Sequence, residues 1–320
     1  MNAQEESELT KKPTIELATR ADIDQIIALR RTCMPHVATT KSLVEWQFFS
    51  NPLGAAHVYV IRSDEGLVSM IATLPRAIRV MGEVRKGRTM VDIMTVPAYR
   101  GKGIAHQHGL RCWQDMTDAG ELAYILPNQH SEKSFRRAGW TELFRVPLRV
   151  GKVAPGAHKP FHHTYQEIET FDSRATDIWN HCSFPVGVHR DAAYLNWRYS
   201  KPDCTYHRYM VDNDHGVVVL KLYSEGEKSL VHICELFVAD SQPDLIEDAL
   251  CFCHEFAERR GADTLTCWLP GGHEDEPIYT AFGFRIEHLE RFIFFKPAIE
   301  ADKDLRDASW HFSQGDSDVF

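Results

Sequence analysis

The stretch from Met90 to Ala105, MVDIMTVPAYRGKGIA, constrains this chain more than any other part of it. A β-branched run stops at Pro97, a turn carries Gly101 and Gly103, and a periodic apolar segment follows at once. The pattern predicts a strand over Arg88–Val96, a tight turn, and a helix over Ala105–Ala119 closed by Gly120. A helix start leaves backbone N–H groups unpaired and carries partial positive charge, which makes it a ready anion site. Glycines without a Cβ let an anion approach the backbone, and Arg100 and Lys102 add two cations. A lone G-x-G also describes an ordinary tight turn. The Walker pattern is absent, and the dinucleotide fingerprint fails because His106 stands where its last glycine would be.

The flanking sequence alternates strands and helices. Thr14–Ala18 reads as a strand, and Asp22 caps a helix containing Ile23, Ile26 and Ile27. Val58–Ile61 and Leu67–Leu74 read as a hairpin, and Ala77–Met81 as a further strand bent from the next by Gly82 and Gly87. Ala123–Leu126, a helix over Ser131–Arg137 ending at Gly139, and a strand over Leu143–Val150 follow. Residues 151–163, rich in Gly, Pro and His, read as a linker. The second half then repeats the plan. Trp46-Gln47-Phe48 before Pro52 matches Trp197-Arg198-Tyr199 before Pro202, AYILPN matches TCWLPG, and Gly139-Trp140 matches Gly283-Phe284. These ordered matches suggest an internal duplication. The expected organisation is a disordered segment over 1–12, domains over 13–150 and 160–298, and a C-terminal tail over 299–320.

Composition narrows the partners. The net charge of −9 argues against a nucleic-acid footprint. No run of about 18 apolar residues is present, so no membrane span is expected. The polar, acidic start MNAQEESELTKKP lacks the apolar core of a signal peptide, which points to the cytoplasm. The eight cysteines are scattered, with only Cys251 and Cys253 close together, and read as buried thiols. No H-x-x-x-H or H-E-x-x-H spacing occurs, so no metal is expected.

Val96-Pro97-x-Tyr99-Arg100-x-x-Gly103-x-Ala105 resembles motif A of the GNAT superfamily, the Gcn5-related N-acetyltransferases. The preceding strand, the following helix, Asn128 and Gly139-Trp140 fall where that family places them, so the likeness covers roughly residues 13–150. The resemblance implies an α/β fold with a mixed, mostly antiparallel central sheet flanked by helices, here duplicated. It implies an acyl-CoA co-substrate, with acetyl-CoA the leading candidate, whose pyrophosphate is held by the backbone of Arg100, Gly101, Lys102, Gly103, Ile104 and Ala105. It further implies a pantetheine arm in a gap between the strands Val91–Val96 and Ala123–Leu126, paired to backbone at Met94 and Val96 and near Asn128. The family's oxyanion amide would be that of Met94 or Thr95.

The second half resembles the same domain with a decayed loop: Ser241-Gln242-Pro243-Asp244 replaces Arg-Gly-Lys-Gly. Pro243 lacks an N–H, and Asp240 and Asp244 repel phosphate. The family's usual tyrosine is replaced by Phe135, while the matching position of the second half is Tyr279. Candidate catalytic groups are therefore Asp92 on the strand beside the gap, Glu235 on the matching strand of the second half, and Tyr279. Two of these also have an ordinary role: a salt bridge for Asp92, a solvated strand position for Glu235. His106 reads as a phosphate neighbour or surface residue. The function expected is acyl transfer, with acetyl the first choice, to a small-molecule amine. Acetylation of a protein or peptide, and a non-catalytic acyl-CoA sensor, are the alternatives. A homodimer is left open.

Overall fold

The computed structural model describes residues 14–128, 131–157, 159–226, 228–297, 305–317 and 320. The expected disorder of 1–12 and the first part of the expected tail lie outside these residues. Fourteen strands form one sheet among them. In chain order the first half runs β1 (Glu16–Leu17), α1 (Ile23–Cys33), α2 (Lys41–Phe49), β2 (His57–Ser63), β3 (Gly66–Val80), β4 (Glu83–Thr95), α3 (Ile104–Asp118), β5 (Leu122–Ile125), α4 (Glu132–Arg137) and β6 (Thr141–Lys152). The second half runs β7 (Tyr165–Ile168), α5 (Ser173–His181), β8 (Val186–Val188), α6 (Ala192–Arg198), β9 (His207–Val211), β10 (Gly216–Glu225), β11 (Lys228–Val238), α7 (Pro243–Arg259), β12 (Thr264–Trp268), α8 (Glu276–Phe282), β13 (Arg285–Lys296) and β14 (Trp310–His311). The fold is thus a mixed α/β sheet, mostly antiparallel, with β4–β5 and β11–β12 the parallel pairs of its main path.

Alternation along the strands sends side chains to opposite faces. Val58, Val60, Met70 and Ala72 pack on one face against Ile26 of α1 and Phe48 of α2. Tyr59, Ile71 and Met90 face the other way, toward Cys112 and Met116 of α3. A separate core joins the two halves, and Trp46 and Trp197 lie in it. Their rings stack with centroids 5.1 Å apart. The Trp46 Nε1–H donates to the Trp197 carbonyl at 2.7 Å, and the Trp197 Nε1–H donates to the Trp46 carbonyl at 3.0 Å. The reciprocal contact gives both indoles the hydrogen bond a buried indole requires.

The order β1-β2-β3-β4-β5-β13-β6-β12-β11-β10-β9-β7 shows that the halves exchange their last strands. β13 lies between β5 and β6, pairing Lys296 with Ala123 and Phe295 with Thr141. β6 in turn borders β12, pairing Lys152 with Thr264 and Gly151 with Leu265. Gly151 and Lys152, read from sequence as the start of the linker, are therefore strand.

Two further expectations are corrected. β3 is continuous through Pro75, because β2 ends opposite Thr73 and asks for no N–H beyond it. Gly87 lies inside β4 and marks no bend: a Cβ there would stand 2.4 Å from Ile78 Cδ1 and 2.9 Å from the Leu122 carbonyl oxygen. Met81 and Gly82 alone make the turn, both with positive φ.

Candidate acyl-CoA cleft

β4 and β5 run parallel only as far as Met90 and Ile125. β4 then continues to Thr95 while β5 stops, so the sheet opens. A bulge re-aims β4 at this point: Met70 pairs with Met94 and Ala72 with Val91, leaving Ile71 opposite both Asp92 and Ile93. Asp92 takes φ 52°. Its carboxylate pairs with Arg30 of α1, whose guanidinium also donates to Gln47 of α2.

After β4, a short turn over Pro97–Tyr99 leads to α3. Gly103 precedes that helix with φ 75°, and Gly101 has φ 77°. Nothing lies within 4 Å of where a Cβ would stand at either glycine. Ile104 is buried with Ile61 and Val68, which pins the helix start to the sheet. The first backbone hydrogen bond of the helix is Gln107 N–H to the Gly103 carbonyl at 3.1 Å. Among the described residues the N–H groups from Gly101 to His106 have no protein acceptor.

The opened sheet, the start of α3 and the near side of α4 enclose a cleft of about 640 Å³. Its floor includes Met94 and Thr95, its loop side Arg100, Gly101, Gly103 and Ala105, and its far side Asn128 and Phe135. Lys102 and Val96 do not line it. The Lys102 ammonium stands 5.0 Å over the Tyr99 ring. Val96 N–H donates to the Val68 carbonyl at 2.9 Å and its carbonyl accepts from Tyr99 N–H at 3.0 Å. The expected pairing of pantetheine with Met94 and Val96 thus meets two residues turned toward β3: Val96 is engaged by Val68 and Tyr99, and Met94 pairs with Met70 and accepts from Ser69. Alternation along β4 turns Thr95 N–H to the open edge instead.

The lining contains Arg100, Arg137 and Lys296 and no carboxylate among the described residues. Lys296 comes from β13, the exchanged strand of the second half, and no local pattern in the first half pointed to it. Asn128 accepts from Ser131 N–H through Oδ1 at 3.0 Å and so fixes the start of α4. Phe135 packs edge-on against Trp140 with centroids 5.6 Å apart, so an apolar ring stands where the family resemblance leads one to look for a phenol.

Beneath Thr95 lies a buried polar chain. Thr95 Oγ1 is 2.9 Å from Ser69 Oγ, which donates to the Met94 carbonyl at 3.0 Å and lies 3.3 Å from His108 Nδ1. Burial pushes the His108 pKa down to about 4, so the ring is neutral. The unfolded chain takes up this proton near 6.5 and the folded chain near 4, so stability falls as pH drops through that window. His108→Gln is expected to lose part of that acid sensitivity, read as a smaller difference in urea midpoint between pH 7 and pH 5.

The other catalytic candidates are not brought to the cleft. Glu235 is fully buried in the second half, where its carboxylate accepts from Arg190 at 3.2 Å, Tyr199 at 3.2 Å and His311 at 3.0 Å. It is thus engaged within the second half, and it is not the solvated strand position expected from sequence. Tyr279 is buried on α8 against Phe284, and burial drives its pKa well above that of a free phenol. At the second half's counterpart of the loop, α7 begins with Pro243 and Asp244. Where β11 and β12 diverge, the tail fills the space: Gln314 Nε2 donates to Thr266 at 3.2 Å, and Gly315 lies so close that a Cβ would meet Tyr199 at 2.3 Å.

A family profile described as "Acetyltransferase (GNAT) domain" matches residues 14–143. No curated protein sequence matches the chain. Among solved structures, a GCN5-related N-acetyltransferase from Anabaena variabilis is 12% identical with a TM-score of 0.72, covering 90% of this chain and 73% of that one. A probable N-acyltransferase from Enterococcus faecalis is 14% identical with a TM-score of 0.72 and the same coverage, 90% and 73%. Saccharomyces cerevisiae N-myristoyltransferase, solved with bound myristoyl-CoA, is 9% identical with a TM-score of 0.62, covering 91% of this chain and 82% of that one. Identities this low speak to fold alone. Among the described residues no helix is long and apolar enough to cross a membrane.

Proposed function

We propose that this chain, whose residues 14–143 are a GNAT acetyltransferase domain, is an acyl-CoA-dependent N-acyltransferase acting on a small amine. The observation that carries the reading is the cleft itself. Gly101 and Gly103 to His106, whose N–H groups have no protein acceptor, line it beside Arg100, and no carboxylate lines it among the described residues. In a chain of net charge −9 such a cleft suits a polyanion. The residues present therefore fit acyl-CoA, which when bound supplies a thioester for an amine to attack.

The amine must arrive neutral, its nitrogen bonding to the acyl carbon as the C–S bond breaks and the thiolate departs, and the proton the nitrogen sheds passes to solvent, from which the thiolate regains one. Thr95 N–H at the open edge of β4 is assigned to the developing oxyanion. Its side chain is held by Ser69, which fixes the strand edge. Asp92 stays a candidate on the same strand, but its carboxylate is engaged by Arg30 of α1. We assign it to holding the bulge. Glu235 and Tyr279 are assigned to the core of the second half, and the second half to shaping the acceptor side. The chain is read as a cytoplasmic enzyme.

Phe135 favours a second reading, a sensor that binds acyl-CoA without turning it over, because the cleft offers no phenol there to protonate the thiolate. Thiol release from acetyl-CoA, measured across amino acids, amino sugars, polyamines and peptides, separates the two. Amine-dependent release on a small acceptor is the expected result. Release confined to peptides points to a protein acetyltransferase. Tight binding with no release to any acceptor would leave the sensor, and no binding at all would remove both.

A further inference from the structure

The cleft reaches further than the strand gap that opens it. β4 and β5 are paired as far as Met90 and Ile125, and Lys296 of β13 pairs with Ala123, two residues back on the closed side. Its side chain nevertheless lines the cleft. Lys296 Nζ donates to the Ala138 carbonyl at 2.6 Å and stands 3.9 Å over the Trp113 ring of α3. The loop from Gly101 to His106 lies at the other end, past Thr95. Thr95 pairs with Ser69 and Met90 with Thr73, so four steps of β3 separate them, about 13 Å at the rise of a strand. The walls of this inner part are apolar: Ile93, Phe135, Ala138 and Trp140 line it with Gly109 and Leu110, one turn before Cys112, which packs with Met90. Gly109 stands inside α3, where glycine is unfavourable against alanine. No protein atom lies within 4 Å of where its Cβ would be, so packing within the chain does not call for a glycine there.

We propose that the acyl group this chain transfers is the monothioester of a dicarboxylic acid, its chain lying along these walls and its free carboxylate meeting Lys296. The proposal rests on the reading of the cleft as an acyl-CoA site, with Thr95 N–H at the thioester carbonyl, and it names the class of the donor's acyl group. With the diphosphate at the loop and the carbonyl at Thr95, the rest of the acyl group continues away from the loop, toward Lys296. An ammonium has three donors, and the Ala138 carbonyl takes one. The Trp113 face attracts the charge without using a donor. Among the described residues Lys296 has no carboxylate partner. Burial holds its pKa below the ordinary lysine value, so the charge bears a desolvation cost that a carboxylate would relieve. An uncharged chain would cover the walls and leave the ammonium as it is, whereas a chain ending in a carboxylate does both. Acyl transfer proceeds as above, and the distal carboxylate takes no part in it.

A Lys beside the last carbonyls of a helix also acts as a cap. That role is indifferent to the acyl group, so ligand discrimination separates the two. Calorimetry on the full chain compares the coenzyme A thioesters of succinic, glutaric, adipic and suberic acids with straight-chain acyl-CoAs of the same carbon count, and with acetyl-CoA. At the length that fits, the thioester ending in a carboxylate is expected to bind about tenfold or more tighter than its uncharged counterpart, the scale of one charge-assisted hydrogen bond. Lys296→Met should bring that ratio to within about twofold, and Lys296→Arg should retain it. The series on the parent chain decides even if Lys296→Met does not fold. No preference for the carboxylate at any length would overturn the proposal, and so would a preference that survives in a folded Lys296→Met. Acetyl-CoA binding best, with every longer chain excluded, would end the acyl site at Thr95 and overturn it while leaving the acyl-CoA reading standing. Failure to bind any of these thioesters would remove that reading as well.

Discussion

Gly103→Asp is expected to weaken acyl-CoA binding by about two orders of magnitude while changing unfolding free energy by about 1 kcal/mol. The first number follows from charge. A carboxylate about 4 Å from a phosphate, at an effective dielectric near 20, is repelled by about 4 kcal/mol, and solvent and side-chain movement reduce that. The second follows from conformation. Gly103 has φ 75° and no neighbour within 4 Å of a Cβ, so nothing clashes and only the left-handed backbone is penalised. Asp tolerates that region better than most residues. Calorimetry with acetyl-CoA and a urea titration read the two effects. Undiminished affinity in a folded variant would place the diphosphate elsewhere. Gly103→Ala serves as a companion, sharing the backbone penalty without the charge and so retaining most of the binding.

Arg190→Met should be the most destabilising single change outside the cleft, at about 3–5 kcal/mol. Arg190 is buried and donates to Glu235 at 3.2 Å, Asp316 at 2.5 Å and the Val188 carbonyl at 2.5 Å. Removing it strands two carboxylates in the core. The pH dependence checks the cause. Burial alone would raise the Glu235 pKa, but Arg190 and His311 reverse this and hold it below the ordinary value of 4.5. Its contribution is thus present above 4.5 and is lost as pH falls toward the lowered folded value. In the variant the opposing pull of burial remains, so the deficit should be large at pH 7 and shrink toward pH 4 as the carboxyl is protonated. A deficit independent of pH would show that lost packing over Trp179, whose ring lies 5.1 Å from the guanidinium, dominates instead.

The loop was legible because its signals are local. A β-branched strand, two glycines and a helix within sixteen residues dictate where amide groups will point, whatever the rest of the chain does. The paired tryptophan motifs were legible as a repeat for the same reason, although their meeting face to face was not. Lys296 was not legible as a neighbour of Arg137, because adjacency there depends on which strand fills the place beside β5. Hydrophobic periodicity says that a strand exists, not which edge it takes. Gly87 misled in a related way: a glycine in an extended run signals either a turn or a close approach, and only the position of Ile78 and Leu122 decides between them. The same limit applied to Glu235. Its strand position was evident, but its confinement by Arg190 and the tail residue His311 required knowing where the chain's last residues return.

The exchange of β6 and β13 bears on how the molecule is made. While the nascent chain leaves the ribosome, β5 is complete long before β13 exists to border it. Its backbone edge must wait, open to pairing with other chains. Crowded synthesis should therefore favour intertwined dimers in which one molecule lends its late strand to another, and a chain cut short before Arg285 should be a client of chaperones rather than a smaller enzyme.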